Sequence, residues 1–188
     1  MGRKLNLRNP KILTEKIQWL KLYDNLPIKT SLTDKVLVRD WIKSKIGEKQ
    51  LTPVFQICSS FEEIDFENLP NKFMVKCNHG CKWQYTVKDK ETYLKHDFLI
   101  SYSKRMVDEW MKQTFYGWSD FELQYKDIQP KILIEKLLCE TSDKPKTEFE
   151  IWCFNSIPKY FTIIDNEAEN RNIYDENYNL IDIFSMKL

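Results

Sequence analysis

The stretch that most constrains the fold is Lys131-Ile132-Leu133-Ile134-Glu135-Lys136-Leu137-Leu138, introduced by Pro130. Apolar side chains fill it without the strict alternation of a half-exposed strand, so it predicts a strand covered on both faces. A strand of that kind needs neighbours on each edge and a layer above and below. The lone Glu135 within it needs a partner or an outlet to a cavity, because burying an uncompensated carboxylate is costly. Either an ion pair with a neighbouring lysine or a place at the wall of a cavity satisfies that requirement.

The rest of the chain supplies the neighbours. Asn9-Pro10 offers a helix start, and Thr14 to Asp24 carries Ile17, Trp19, Leu20, Leu22 and Tyr23 as a broad apolar stripe, ended by Asn25-Leu26-Pro27. A second helix is expected over 33–46, with Thr33 as N-cap and Gly47 at its C-terminal end. Val54 to Ile57 reads as a short strand and Phe61 to Ile64 as one helical turn. Lys72 to Cys77 and Gln84 to Lys88 read as the two arms of a hairpin, with a polar loop over 78–82 at its tip. Asp97 to Phe115 is helical, with Met106, Val107, Trp110 and Met111 on one side. After the apolar strand come a polar loop over 139–146, a strand over 148–154, a turn at Asn155-Ser156-Ile157-Pro158, a strand over 159–165, and a weaker β excursion over 171–181. Helices, hairpin, helix and antiparallel meander in that order define an α+β chain rather than a doubly wound one.

Charge excludes some functions. With 29 Lys+Arg against 28 Asp+Glu the formal net charge is +1, without the basic surplus of a general nucleic-acid binder. No apolar run reaches the length of a membrane span, and the N-terminus lacks the apolar segment of a signal peptide. Five cysteines, an odd number, fit reduced thiols, so a cytoplasmic location is expected.

The densest chemistry lies in Val75-Lys76-Cys77-Asn78-His79-Gly80-Cys81-Lys82-Trp83, closed by Val87-Lys88-Asp89-Lys90. Two lysines, Lys76 and Lys88, sit on paired strands flanking a loop with one glycine. Lysine presents a compact cation to a phosphate, and the N–H groups of a tight turn form an anion nest. The plainer alternative is a surface hairpin with solvated lysines. Cys77, His79 and Cys81 alternate in a way zinc could use, but structural zinc wants four ligands at wider spacing, and buried cysteine is the simpler reading. The six tryptophans could stack bases or sugars, though their spacings also suit a core.

Those residues resemble a known family. Asn9-Pro10, Thr14 to Asp24, Asp34-Lys35, Val38-Arg39 and Ile46-Gly47-Glu48, then 60–66, 69–73, Lys76 to Gly80, 87–90, Gln124 to Lys126, Cys153 to Asn155 and Pro158-Lys159 are similar, in order, to TupA-like ATP-grasp proteins. The resemblance implies an N-terminal helical segment over 1–50, a lid-like hairpin lobe over 51–127 and the start of a C-terminal ATP-grasp lobe over 128–188. It implies that ATP is the cofactor, with Lys76 reaching toward the α-phosphate, His79, Gly80 and Lys82 in the phosphate loop, and Lys88 on the returning strand. Glu135, Lys136 and Leu138 would form the adenine-reading hinge, and Glu140 would contact ribose. The implied reaction is ATP-dependent joining of a carboxylate to an amine in cell-surface polysaccharide or teichuronopeptide assembly, with a sugar acid or amino acid as acceptor.

Three departures stand against that pattern. The family loop usually runs His-Gly-Ser-Gly, and here Cys81 and Lys82 occupy the last two places. Glu150 stands where the family strand carries a lysine. The acidic residues that hold Mg2+ in the family are not found before Leu188, so an incomplete C-terminal lobe is expected. The alternative function is a non-catalytic relic, with the hairpin serving as a glycan- or partner-binding platform.

Overall fold

The computed structural model describes residues 4–24, 26–117, 121–138, 148–165 and 170–181. The expected polar loop over 139–146, with Glu140, lies outside the described residues. The chain divides into two compact units, Met1–Leu137 and Leu138–Leu188.

The first unit opens with α1 (Leu13–Tyr23), α2 (Pro27–Thr33) and α3 (Val38–Ile46). Glu15 organises the start of α1. It is buried and accepts the backbone N–H groups of Asn6, Lys11 and Ile12 at 3.1, 3.0 and 3.4 Å. This meets donors that a helix N-terminus leaves orphaned. The apolar stripe expected of α1 remains exposed, Ile17 and Leu20 by 42% and 48%. Two expectations here are corrected. Pro27 does not only end α1; it starts α2, where its fixed φ and missing N–H suit the first helical position. Thr33 is the last residue of α2 rather than an N-cap. The side chain of Asp34 instead accepts from Val36 and Leu37 at 2.8 and 3.4 Å, leading into α3 at Val38.

Next come β1 (Val54–Cys58), β2 (Phe73–Cys77), β3 (Gln84–Val87), α4 (Lys90–Lys95), α5 (Asp97–Lys112) and β4 (Ile132–Lys136). The sheet order is β1-β4-β2-β3, with every pairing antiparallel. The apolar strand β4 is thus interior, flanked by β1 and β2, and Ile132 to Glu135 are all buried. The hairpin β2–β3 pairs Phe73 with Val87 and Lys76 with Gln84. α4 was not anticipated. Asp89 caps it, accepting from Glu91 N at 3.1 Å and from the Thr92 hydroxyl at 2.6 Å.

Residues opposite one another in an antiparallel ladder share a face. Phe73, Val75 and Cys77 therefore lie with Ile132 and Ile134, and Phe73, Val75, Val107 of α5, Ile132 and Ile134 are 0% exposed. Phe61, Ile64, Leu69 and Tyr93 complete this core. The other face carries Met74 and Lys76 of β2, Leu133 and Glu135 of β4, and the exposed Ile57, Gln84 and Thr86.

The second unit is an antiparallel meander of β5 (Glu148–Phe154), β6 (Ile157–Asp165), β7 (Asn170–Asp175) and β8 (Leu180–Ile181). The β5–β6 link has Asn155 and Ser156 both at positive φ, 51° and 65°, between the paired Phe154 and Ile157. This is the backbone a two-residue primed turn requires. Trp152 donates to the Thr162 hydroxyl at 3.2 Å. Helices leading into two antiparallel sheets make the chain α+β. Among the described residues no helix is long and apolar enough to cross a membrane.

Candidate functional site

The loop at the tip of the β2–β3 hairpin is held from beneath by a polar cluster. Asn78 is fully buried and sits at its centre. Its amide Nδ2 donates to Asp34 Oδ1 at 3.0 Å and to the carbonyl of Gln129 at 2.9 Å. Its Oδ1 accepts the N–H of Lys131 at 2.7 Å, and its backbone N–H donates to the Lys131 carbonyl at 3.0 Å. One side chain thus ties the loop to the turn before α3 and to the start of β4. Satisfied networks of this sort fix a single arrangement, because the alternative is an unpaired buried polar group.

His79 points inward as well. It is 2% exposed, and its Nε2 lies 3.0 Å from the carbonyl of Trp110 in the last turn of α5. Nδ1 lies 3.2 Å from Asn78 Oδ1. The Trp110 carbonyl and Asn78 Oδ1 both only accept, so the one N–H of a neutral ring serves one of the two. Burial holds the His79 pKa below the ordinary histidine value, and the nearby Lys35 cation adds to this. His79 is therefore a neutral group that closes the C-terminal end of α5 onto the loop.

Gly80 has a steric reason to be glycine. A Cβ there would fall 2.2 Å from Cε3 of Trp83. The Trp83 ring is fixed against His79, centroids 5.0 Å apart, and edge-on to Phe115 at 5.4 Å. Lys82, where the family has glycine, adopts φ 62°, a left-handed backbone that favours glycine. Cys81 and Lys82 are exposed.

With the Asn78 and His79 side chains turned in, no backbone acceptor among the described residues pairs with the N–H groups of His79, Gly80, Cys81 and Lys82. A tight turn with consecutive N–H groups of this kind and one left-handed residue has the makings of an anion nest. Lys76 and Glu135 lie nearby on the open face of the sheet. Glu135 stands opposite Met74 and is therefore the diagonal neighbour of Lys76. Their side chains form an ion pair, 25% and 11% exposed. Of the two ways to satisfy the carboxylate in β4, the ion pair is the one adopted.

Lys88 is exposed just beyond β3. Lys136 is exposed at the end of β4, and its N–H donates to the Pro53 carbonyl at 2.9 Å. Leu138 is 45% exposed and follows the first unit. The structure thus brings Lys76, His79, Gly80, Lys82 and Glu135 to one region of the first unit. Glu150 is exposed on β5, opposite Thr162.

Metal chemistry finds no ready set. Among the described residues no three His, Cys, Asp or Glu side chains cluster to hold an ion. Asp175 accepts from Asn177 N, Asn179 N and Asn179 Nδ2 at 2.8–3.0 Å, and Glu176 is paired with Lys159 at 2.5 Å. These carboxylates close a turn and do not form the oxygen cage that magnesium requires. Cys77 is buried, with its thiol pushed up to about 12 by desolvation, whereas Cys81 is exposed. A zinc site through Cys77, His79 and Cys81 does not form.

Sequence reasoning passed over Asp34, Lys35 and Asn78 as site residues. Lys35 donates from Nζ to the Gly80 carbonyl and lies 3.5 Å from the Asn78 carbonyl. The only advance signal was that Asp34-Lys35 and Asn78 fall inside the segments that resemble the family.

The comparison with family models is specific: residues 15–187 match the TupA-like ATPgrasp model, and the chain belongs to that family. No curated protein and no solved structure matches the chain.

Proposed function

We propose that this chain binds ATP through the first unit, with the phosphates on the 79–82 loop beside Lys76 and the adenine at the end of β4, by Glu135 and Lys136. The observation that carries the reading is the run of N–H groups at His79, Gly80, Cys81 and Lys82 without a backbone acceptor among the described residues, on a loop held by Lys35, whose charge Lys76 is close enough to feel. Preorganised N–H donors and a cation stabilise phosphoryl charge without reorganising. Arrival of a phosphate gives Lys76 a second anionic partner besides Glu135. Lys82 and Lys88, both exposed on the hairpin, supply further positive charge.

Membership of the ATP-grasp family supports an ATP-dependent ligase reaction, in which a carboxylate is activated by phosphoryl transfer and captured by an amine. The acceptor in this reading is a sugar acid or amino acid in cell-surface polysaccharide or teichuronopeptide assembly, and the reaction draws on ATP in the cytoplasm. In domain terms, residues 51–127 act as the lid-like lobe behind a helical segment over 1–50, with the C-terminal lobe beginning at 128.

The test is calorimetric titration of the 188-residue chain with ATP, with and without magnesium, alongside Lys76→Ala. Binding that Lys76→Ala weakens at least tenfold is expected. A folded chain that takes up no ATP would sink the reading.

A further inference from the structure

Lys35 holds two of the loop's carbonyls and so fixes the direction of the N–H groups in the same two peptides. A trans peptide places its C=O and N–H on opposite sides of the chain. The Gly80 carbonyl accepts a hydrogen bond from Lys35 Nζ, so the N–H of Cys81, in the same peptide, points the other way. The Asn78 carbonyl accepts the backbone N–H of Lys35 at 3.4 Å and lies 3.5 Å from Lys35 Nζ, which turns the His79 N–H likewise. One residue, more than forty positions earlier in the chain, thus sets the orientation of two peptides in the loop.

Lys35 is well placed to do this and little else. It follows Asp34, whose Oδ1 is engaged by Asn78 Nδ2 and by the N–H groups of Val36 and Leu37. The Asp34 carboxylate is therefore occupied, and the hydrogen-bond acceptors of the Lys35 ammonium are the two loop carbonyls. Burial lowers the Lys35 pKa, and Lys76 is close enough for the two ammonium charges to repel. Lys35 and Lys76 thus stand near one loop, with the carboxylates of Asp34 and Glu135 as their counter-charges. A bound anion relieves that repulsion.

We propose that Lys35 is the positioning residue of the anion loop: by holding the Asn78 and Gly80 carbonyls it fixes the loop backbone and presents the N–H of the exposed Cys81 to the phosphates of a bound nucleotide. This rests on the nucleotide reading given above. The role is specific to phosphate, because the carbonyls that Lys35 holds belong to the loop and not to the end of β4.

The experiment compares wild type, Lys35→Met and Lys35→Arg for binding of ATP and of adenosine by calorimetry, with Lys76→Ala as reference. Lys35→Met should weaken ATP at least tenfold and adenosine less than threefold. Lys35→Arg, which keeps charge and donors, should stay within about threefold of wild type for both. If Lys35→Met folds and binds ATP like wild type, or loses ATP and adenosine equally, Lys35 has only a structural role and the inference fails while nucleotide binding stands. Where Lys35→Met does not fold, Lys35→Gln replaces it. Gln is one atom shorter and ends in a planar amide, so it does not hold both carbonyls as Lys35 does; its ATP-to-adenosine affinity ratio should fall at least threefold, and a ratio unchanged from wild type overturns the inference. If wild type binds no ATP while remaining folded, the nucleotide reading and this inference fall together.

Discussion

The tightest spot in the loop gives the sharpest stability test. Replacing Gly80 with alanine places a methyl group 2.2, 2.6 and 2.8 Å from three carbons of the Trp83 ring. Ordinary contact between carbons begins near 3.5 Å, so the ring must retreat by more than 1 Å. It has little room, because Phe115 stands edge-on at 5.4 Å and Phe115 itself packs on Tyr125 at 4.7 Å. Overpacking of this kind costs about 1–3 kcal/mol. At roughly 2–4 °C per kcal/mol for a chain of this size, Gly80→Ala should lower Tm by about 2–12 °C. Thermal unfolding followed by far-UV circular dichroism measures the loss, and near-UV dichroism reports whether the tryptophan environment moves. A Gly80→Ala protein with wild-type Tm and an unchanged near-UV spectrum would refute the packing argument.

The neighbouring Lys82→Gly should do the reverse, raising stability by about 0.5–1 kcal/mol, since φ 62° strains a lysine by more than glycine loses in the unfolded chain; an unchanged urea midpoint would count against it. Glu135→Ala should destabilise by about 2 kcal/mol, discounted from the fully buried case because Lys76 keeps 25% exposure, and Glu135→Met with Lys76→Met should recover most of the loss in denaturant titrations. His79 has its pKa lowered in the folded state, so the unfolded chain binds more protons below the unfolded value of about 6.5. Stability should accordingly hold above that pH and decline as pH falls below it, a dependence that His79→Gln should reduce. At pH 8 iodoacetamide should label Cys81 and Cys153 quickly and leave Cys58 and Cys77 largely untouched until unfolding, as read by mass spectrometry.

What the sequence made legible was whatever rests on local pattern. The apolar run Ile132-Leu133-Ile134 required an interior strand, and β4 lies between β1 and β2. Alternation over 72–77 and 84–88 with a polar tip required a hairpin. Harder to read were features in which one residue type serves two ends. Pro27 looks like a terminator because it breaks α1, but the same fixed φ starts α2. Thr33 and Asp34 are both residues that bond nearby backbone N–H groups, and only the geometry of the turn before α3 gives that part to Asp34. The site was half legible for the same reason. Lys76, His79, Gly80 and Glu135 stand out by type and spacing. That His79 turns inward to Trp110, however, depends on where α5 ends in space. The roles of Asp34 and Lys35 depend on contacts spanning more than forty residues, which leave no period or spacing in the sequence.

The central claim is that the phosphates of ATP rest on the N–H groups of the hairpin loop, and amide NMR of 15N-labelled protein tests it directly. Titration with ATP should shift the His79, Gly80, Cys81 and Lys82 amide resonances in a saturable way, and inorganic tripolyphosphate should shift the same four. Saturable ATP binding that leaves those four resonances unmoved would contradict the account.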